Sequence, residues 1–178
     1  MNDLRFVRMA RKIVFELGGA RAIAEMHDAD VPNTCDAVWN ILPVEGMSIH
    51  ANWVAREIML HLEGEKVLRL LPEGPRTQGT APGDIGYFYR APGLLRGKQS
   101  AYSAQFQREL SEFEIYYGAP AGAGLGAHDP ARYGAHSGLI TTKFATLIDV
   151  PSAFRRNAED ILHKGLKKIV VRRLAGSA

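Results

Sequence analysis

Gly18-Gly19 separates two runs of alternating polarity, Ile13-Val14-Phe15-Glu16-Leu17 and Arg21-Ala22-Ile23-Ala24-Glu25-Met26. A two-residue loop whose positions both accept positive φ is the tightest reversal an antiparallel pair can make. The chain therefore opens with a β-hairpin, and further strand-sized segments follow. Ser48-Ile49-His50-Ala51-Asn52-Trp53 and Glu57-Ile58-Met59-Leu60-His61-Leu62 come first. Asp84-Ile85-Gly86-Tyr87-Phe88-Tyr89 follows a Pro82-Gly83 turn. Phe113–Tyr117, Phe144–Ile148 and Lys168–Arg172 complete the set, and a short strand is expected at Val67–Leu71 inside the Pro- and Gly-rich loop from Glu63 to Gly83.

Two segments break the pattern. Asp30–Pro43 reads as a short helix, with Pro32 in its first turn, Asp30 or Asn33 as cap, and Pro43 as its stop. Cys35, Val38, Ile41 and Leu42 form its apolar face. From Pro151 onward, Phe154, Ala158, Ile161 and Leu162 recur at helical spacing, and Gly165 stands just past the end. Many strands with two helices and no internal linker predict a mainly β barrel or sandwich, one domain across residues 1–178.

With 178 residues the chain is long enough for one sizeable core. At 46% hydrophobic and 23% charged residues, wholesale disorder and fibrous repeats are excluded. The longest apolar stretches, such as Ile169-Val170-Val171, are far shorter than a membrane span. Arg5, Arg8, Arg11 and Lys12 interrupt the first residues too often for a signal peptide, and Cys35 is the single cysteine, so a cytoplasmic protein without internal disulfide or zinc cluster is expected. The net charge of +3 is concentrated at the two ends of the chain, in Arg5–Lys12 and in Arg155–Arg173. Terminal strands commonly lie together, which would join these into one face; without aromatic interleaving, a solvated surface is the reading preferred over a nucleic-acid site.

The hairpin followed by Val31-Pro32-Asn33-Thr34-Cys35-Asp36-Ala37-Val38 resembles the opening of cyclophilins. The final strand–helix–strand resembles their end. Between them Trp53, Arg56-Glu57-Ile58, Pro82-Gly83-Asp84-Ile85-Gly86-Tyr87-Phe88 and Ile115-Tyr116-Tyr117-Gly118 resemble a group of uncharacterised prokaryotic cyclophilin-like proteins. The resemblance covers most of residues 5–173 and implies a closed antiparallel barrel of about eight strands, capped by two α-helices. It does not bring isomerase activity with it. Cyclophilins use an Arg in a Phe-His-Arg strand, whereas here Ala51 follows His50, and Gln105 and Gln107 lie in an unmatched loop.

Candidate chemistry gathers in three places. His50, Trp53, Arg56 and Glu57 offer a titrating imidazole, an aromatic, a carboxylate clamp and a base, against a plain reading as a half-exposed strand. Tyr87 and Tyr116 could line a pocket with hydroxyl donors, against a plain reading as core aromatics. His128, Asp129 and His136 could ligate a metal, but their spacing matches no ligand signature, so neither a metal nor a cofactor is expected. Gly118–Gly126 lacks the Gly-Lys-Ser/Thr of a phosphate loop, and Cys35 on an apolar stripe reads as an inert thiol. The expected function is binding, with transformation left open, of a small polar or anionic metabolite by His50, Trp53, Arg56, Glu57, Tyr87 and Tyr116 in a barrel-side pocket. The alternative is a peptidyl-prolyl isomerase or peptide-binding module. No nucleic-acid or membrane partner is expected, and a homo-oligomer is left open.

Overall fold

The structure is a computed structural model that describes residues 10–51, 56–74, 81–93, 108–118 and 141–176. Strands β1 (Lys12–Leu17) and β2 (Ala20–Met26) form the hairpin, and helix α1 (Pro32–Ile41) follows. Next come β3 (Val44–His50), β4 (Glu57–His61), a 3-10 turn at Gly64–Lys66, β5 (Asp84–Arg90), β6 (Leu110–Tyr116) and β7 (Thr142–Asp149). Helix α2 (Ser152–Lys164) and β8 (Lys167–Arg173) close the described chain. All pairings are antiparallel, and the order β1-β2-β7-β5-β6-β4-β3-β8 returns on itself as a closed barrel of eight strands. The mainly β barrel with two helices is thus as expected.

Gly18 and Gly19 have φ of 55° and 80°, the paired positive values a primed hairpin turn requires. Alternation then sorts each strand. Phe15, Leu17, Ile58, Leu60, Ile85, Phe113, Ile115, Phe144, Ile169 and Val171 fill the interior. Cys35 and Val38 of α1, and Phe154, Ala158 and Ile161 of α2, join the same core. Burying each such large aliphatic or aromatic side chain contributes about 1.5–3 kcal/mol.

Three local expectations are corrected. Neither Asp30 nor Asn33 caps α1: Val31 holds the cap position without a side-chain bond. Glu73 arrives from the distant loop instead, accepting bonds from the Thr34 backbone N–H at 2.7 Å, its hydroxyl at 2.8 Å, and Asn33. Residues 67–71 form no strand. The Tyr87 hydroxyl donates to the Leu68 carbonyl at 2.7 Å and accepts from the Leu70 N–H at 3.2 Å, and the Leu68 N–H donates to the Ser111 hydroxyl at 3.2 Å. The third strand (Val44–His50) begins at Val44 rather than Ser48, because Val44 to Ser48 pair with Val171 to Lys167 of β8; Asn52 and Trp53 lie outside the described residues.

The first and last strands do lie side by side, yet acids interleave with their bases. Lys12 meets Glu25 at 3.7 Å, Arg21 and Arg172 share Glu16 at 2.9 and 2.7 Å, Lys167 meets Asp160 at 3.1 Å, and Lys168 meets Glu45 at 2.9 Å. A shallow groove of about 650 Å³ runs there between Gly18, Arg21, Asn157 and Lys167. Among the described residues, no helix is long and apolar enough to cross a membrane.

Candidate functional site

A closed barrel normally buries one side of each strand and wets the other. On β4, β6 and β5 this rule fails. The outward positions of β6 are Glu112, Glu114 and Tyr116; those of β4 are Glu57, Met59 and His61; those of β5 are Asp84, Gly86, Phe88 and Arg90. Glu57 is fully buried, and Asp84, Glu112, Glu114 and Arg90 are each more than nine-tenths buried. Taking carboxylates out of water costs several kcal/mol apiece unless other groups compensate, roughly. Such a face is therefore where function is sought first.

Each side chain is held by what the register brings beside it. Glu114 lies between Met59 and Gly86. Its Oε2 accepts from the Thr141 hydroxyl at 2.8 Å and the Tyr116 hydroxyl at 3.2 Å. Gly86 leaves the space in which that carboxylate lies. Asp84 closes the Pro82-Gly83 turn, accepting from the Ala81 N–H at 2.8 Å, and pairs with Lys143. Gly83, with φ of 100°, occupies the turn position that glycine suits. Glu112 stands in direct register with His61, its Oε2 3.1 Å from Nε2, although the ring N–H points off that line. That partner raises the His61 pKa above the ordinary imidazole value, and burial opposes it. Ala51, Met59 and Tyr116 pack as a small apolar cluster beside these groups.

Of the six residues expected from sequence, the five that are described lie at different places on the barrel. Glu57 and Tyr116 lie on this face, paired in register. His50 sits at the barrel's end. Its Nδ1 bonds the Ala51 carbonyl at 2.9 Å, which makes Nδ1 the protonated nitrogen; Nε2, 2.6 Å away, then accepts from the Tyr117 hydroxyl. Burial pushes the His50 pKa down, favouring this neutral tautomer. Arg56 has φ of 55° and faces Glu159 of α2 at 3.7 Å. Tyr87 points inward among core residues. Trp53 lies outside the described residues, as do His128, Asp129, His136, Gln105 and Gln107. Cys35 is buried, donates to the Phe144 carbonyl, and burial pushes its thiol pKa up to about 12, far from a nucleophile. Among the described residues, no group of three or more His, Cys, Asp or Glu could hold a metal ion.

Sequence reasoning did not single out Asp84, Glu112, Glu114 or His61. The alternation of Glu112 and Glu114 in Leu110-Ser111-Glu112-Phe113-Glu114-Ile115-Tyr116 is legible, but outward acids on a strand normally mean water. Their burial was not legible.

Residues 13–171 match the sequence profile of a protein family of unknown function, DUF3830. The chain belongs to the DUF3830 family. No curated protein matches this DUF3830 chain. Among solved structures it is similar to the hypothetical protein AF2241 from Archaeoglobus fulgidus, at 11% identity and a TM-score of 0.56, covering 96% of this chain and all of that one. It is also similar to McbB, solved in complex with tryptophan, at 14% identity and a TM-score of 0.53, over 93% of this chain and 45% of McbB. The DUF3830 chain thus spans less than half the length of McbB. At these identities the likeness is one of fold. Of the resemblance to cyclophilins, the structure of this DUF3830 protein supports the closed eight-stranded barrel with two helices.

Proposed function

We propose that this protein binds a small polar metabolite carrying an amine, in the cytoplasm, on the outward face of β4, β6 and β5. One observation carries the reading: four carboxylates, Glu57, Asp84, Glu112 and Glu114, are withdrawn from water on the side of the barrel that water would ordinarily cover. Carboxylates in a region of lowered dielectric attract an ammonium group more strongly than in water, and they accept its hydrogen bonds. Glu114 is fixed by two hydroxyl donors. Arg90, on the same face, suits an acid group of an amphoteric ligand. McbB, of the same fold, is solved with tryptophan, an amino acid and so a member of that chemical class.

This reading narrows the sequence expectation of a small polar or anionic metabolite to a polar one that carries an amine. The anionic option drew on Arg56 as a carboxylate clamp, and its guanidinium faces Glu159 at 3.7 Å. His50 and Tyr117 form a hydrogen-bonded pair that supports the barrel's end beside the site. No arrangement among the described residues favours prolyl isomerisation.

The test is a thermal-shift screen of amino acids, biogenic amines and matched carboxylic acids on wild type and Glu114→Gln. Amine-bearing compounds should raise the melting temperature of the wild type and lose that effect in the variant. Stabilisation by carboxylic acids alone, unaffected by the variant, would overturn the proposal.

A further inference from the structure

The seam between β3 and β4 is only partly closed. Its registered pairs are Ile49 with Met59 and His50 with Ile58, continued by the Ala51 N–H to the Glu57 carbonyl at 3.0 Å, and on the other side Val44 to Ser48 have no registered partner on β4. A notch of about 240 Å³ opens where they diverge, lined by Glu45, Gly46, Met47, His61, Glu63 and Lys66 among others. His61 belongs to both places: it lines the notch, and it faces Glu112 across the β4–β6 ladder.

The His61 side chain is 44% exposed while that of Glu112 is 6% exposed, so a sheltered carboxylate lies 3.1 Å from Nε2 on one side of the ring and the exposed part of the ring lines the notch. A carboxylate beside Nε2 keeps the proton on that nitrogen. In neutral His61, Nδ1 is then an acceptor, and among the described residues it has no hydrogen-bond partner.

We propose that the notch is the entry subsite for the amine ligand and that His61 gates it: neutral His61 accepts a hydrogen bond from the ammonium through Nδ1, and protonated His61 repels it. The inference rests on the amine reading above and adds where the amine enters and how pH controls it. Protonation exchanges an acceptor for a donor and places a positive charge beside the ammonium, so both changes weaken binding.

The groups around His61 set the pH at which this occurs. Glu112 of β6 raises its pKa, and Glu63, just beyond β4, does so more weakly; burial opposes them. Arg90 of β5 lies near Glu112 and tempers its charge. Glu45 of β3 is held by Lys168 of β8 at 2.9 Å, and the Lys66 ammonium is bound to the Ile41 carbonyl. The gate therefore closes on the acid side of a midpoint above the ordinary imidazole value.

The experiment is an NMR titration with ethanolamine, and ethylene glycol as the uncharged control, at pH 5.5, 7 and 8.5. It uses wild type, His61→Gln and Glu112→Gln, each first shown to give a native amide spectrum. Wild-type affinity should weaken by about tenfold or more from the highest to the lowest pH, the scale of one nearby like charge at a protein surface. His61→Gln should flatten the profile, and Glu112→Gln should move its midpoint to lower pH. Ethanolamine binding with the same pH profile in His61→Gln as in wild type overturns the gate alone. No binding at any pH overturns the amine reading, and the gate with it.

Discussion

The carboxylate of Glu114 rests on Gly86. A β-carbon built at Gly86 would stand 2.8 Å from Glu114 Oε2 and would collide with Cγ2 of Thr141. The glycine is therefore needed for its missing side chain. It lets Thr141 and Glu114 meet at 2.8 Å across the outer face of β5.

Gly86→Ala should consequently destabilise the protein by about 1–3 kcal/mol, the usual cost of overpacking. For a chain of this length that is a loss of several degrees in melting temperature. Calorimetry checks it. An unchanged melting temperature would mean that the Glu114–Thr141 bond is dispensable.

Glu73 performs a cap's work from outside the helix. Burial alone would raise its pKa, but bonds from the Thr34 backbone, the Thr34 hydroxyl and Asn33 hold it below the ordinary carboxylate value. A depressed carboxyl stabilises above its unfolded pKa, and that stability is lost as pH falls through the folded one. Glu73→Ala should cost about 1 kcal/mol at neutral pH, as loss of a helix cap does. The difference from wild type should shrink in acid. Chemical denaturation at pH 7 and pH 3.5 measures both.

The two described histidines with shifted values act oppositely. His61 has a raised pKa, so its stabilisation is complete below the unfolded value near 6.5 and disappears as pH rises through the folded value. His50 has a lowered pKa, so the unfolded chain binds its proton more readily and stability falls as pH drops below 6.5. His61→Gln should therefore leave a protein that loses more stability than wild type on going from pH 8 to pH 5.5. His50→Gln should lose less. Denaturation midpoints at the two pH values discriminate these outcomes.

Cys35, buried in the core with its thiol pKa pushed up to about 12, should resist iodoacetamide in the native protein at pH 8. It should react promptly in denaturant. Mass spectrometry of the labelled chain reports this directly, and rapid native labelling would show that α1 opens readily.

Much of the fold was legible because its signals are local. Gly18-Gly19, Pro32, Pro43 and Gly165 act on their own backbone, and they mark turns and helix ends as expected. The strand alternation was legible for the same reason. The Glu73 cap was not, since it joins residues about forty positions apart. Nor was the irregular course of residues 67–71, which depends on the Tyr87 hydroxyl. The candidate site was the least legible. His50, Arg56 and Glu57 are neighbours in sequence, yet one lies at the barrel's end, one beside α2 and one on the outer face. The face that distinguishes this barrel is made by three strands whose register no single segment encodes.

The most direct test of the central claim is amide chemical-shift mapping with the strongest amine from the screen. Ligand-induced shifts should concentrate in residues 57–61, 84–90 and 112–116, and Glu114→Gln should remove them. Shifts confined to the groove around Gly18, Asn157 and Lys167, with β4, β5 and β6 silent, would contradict the account.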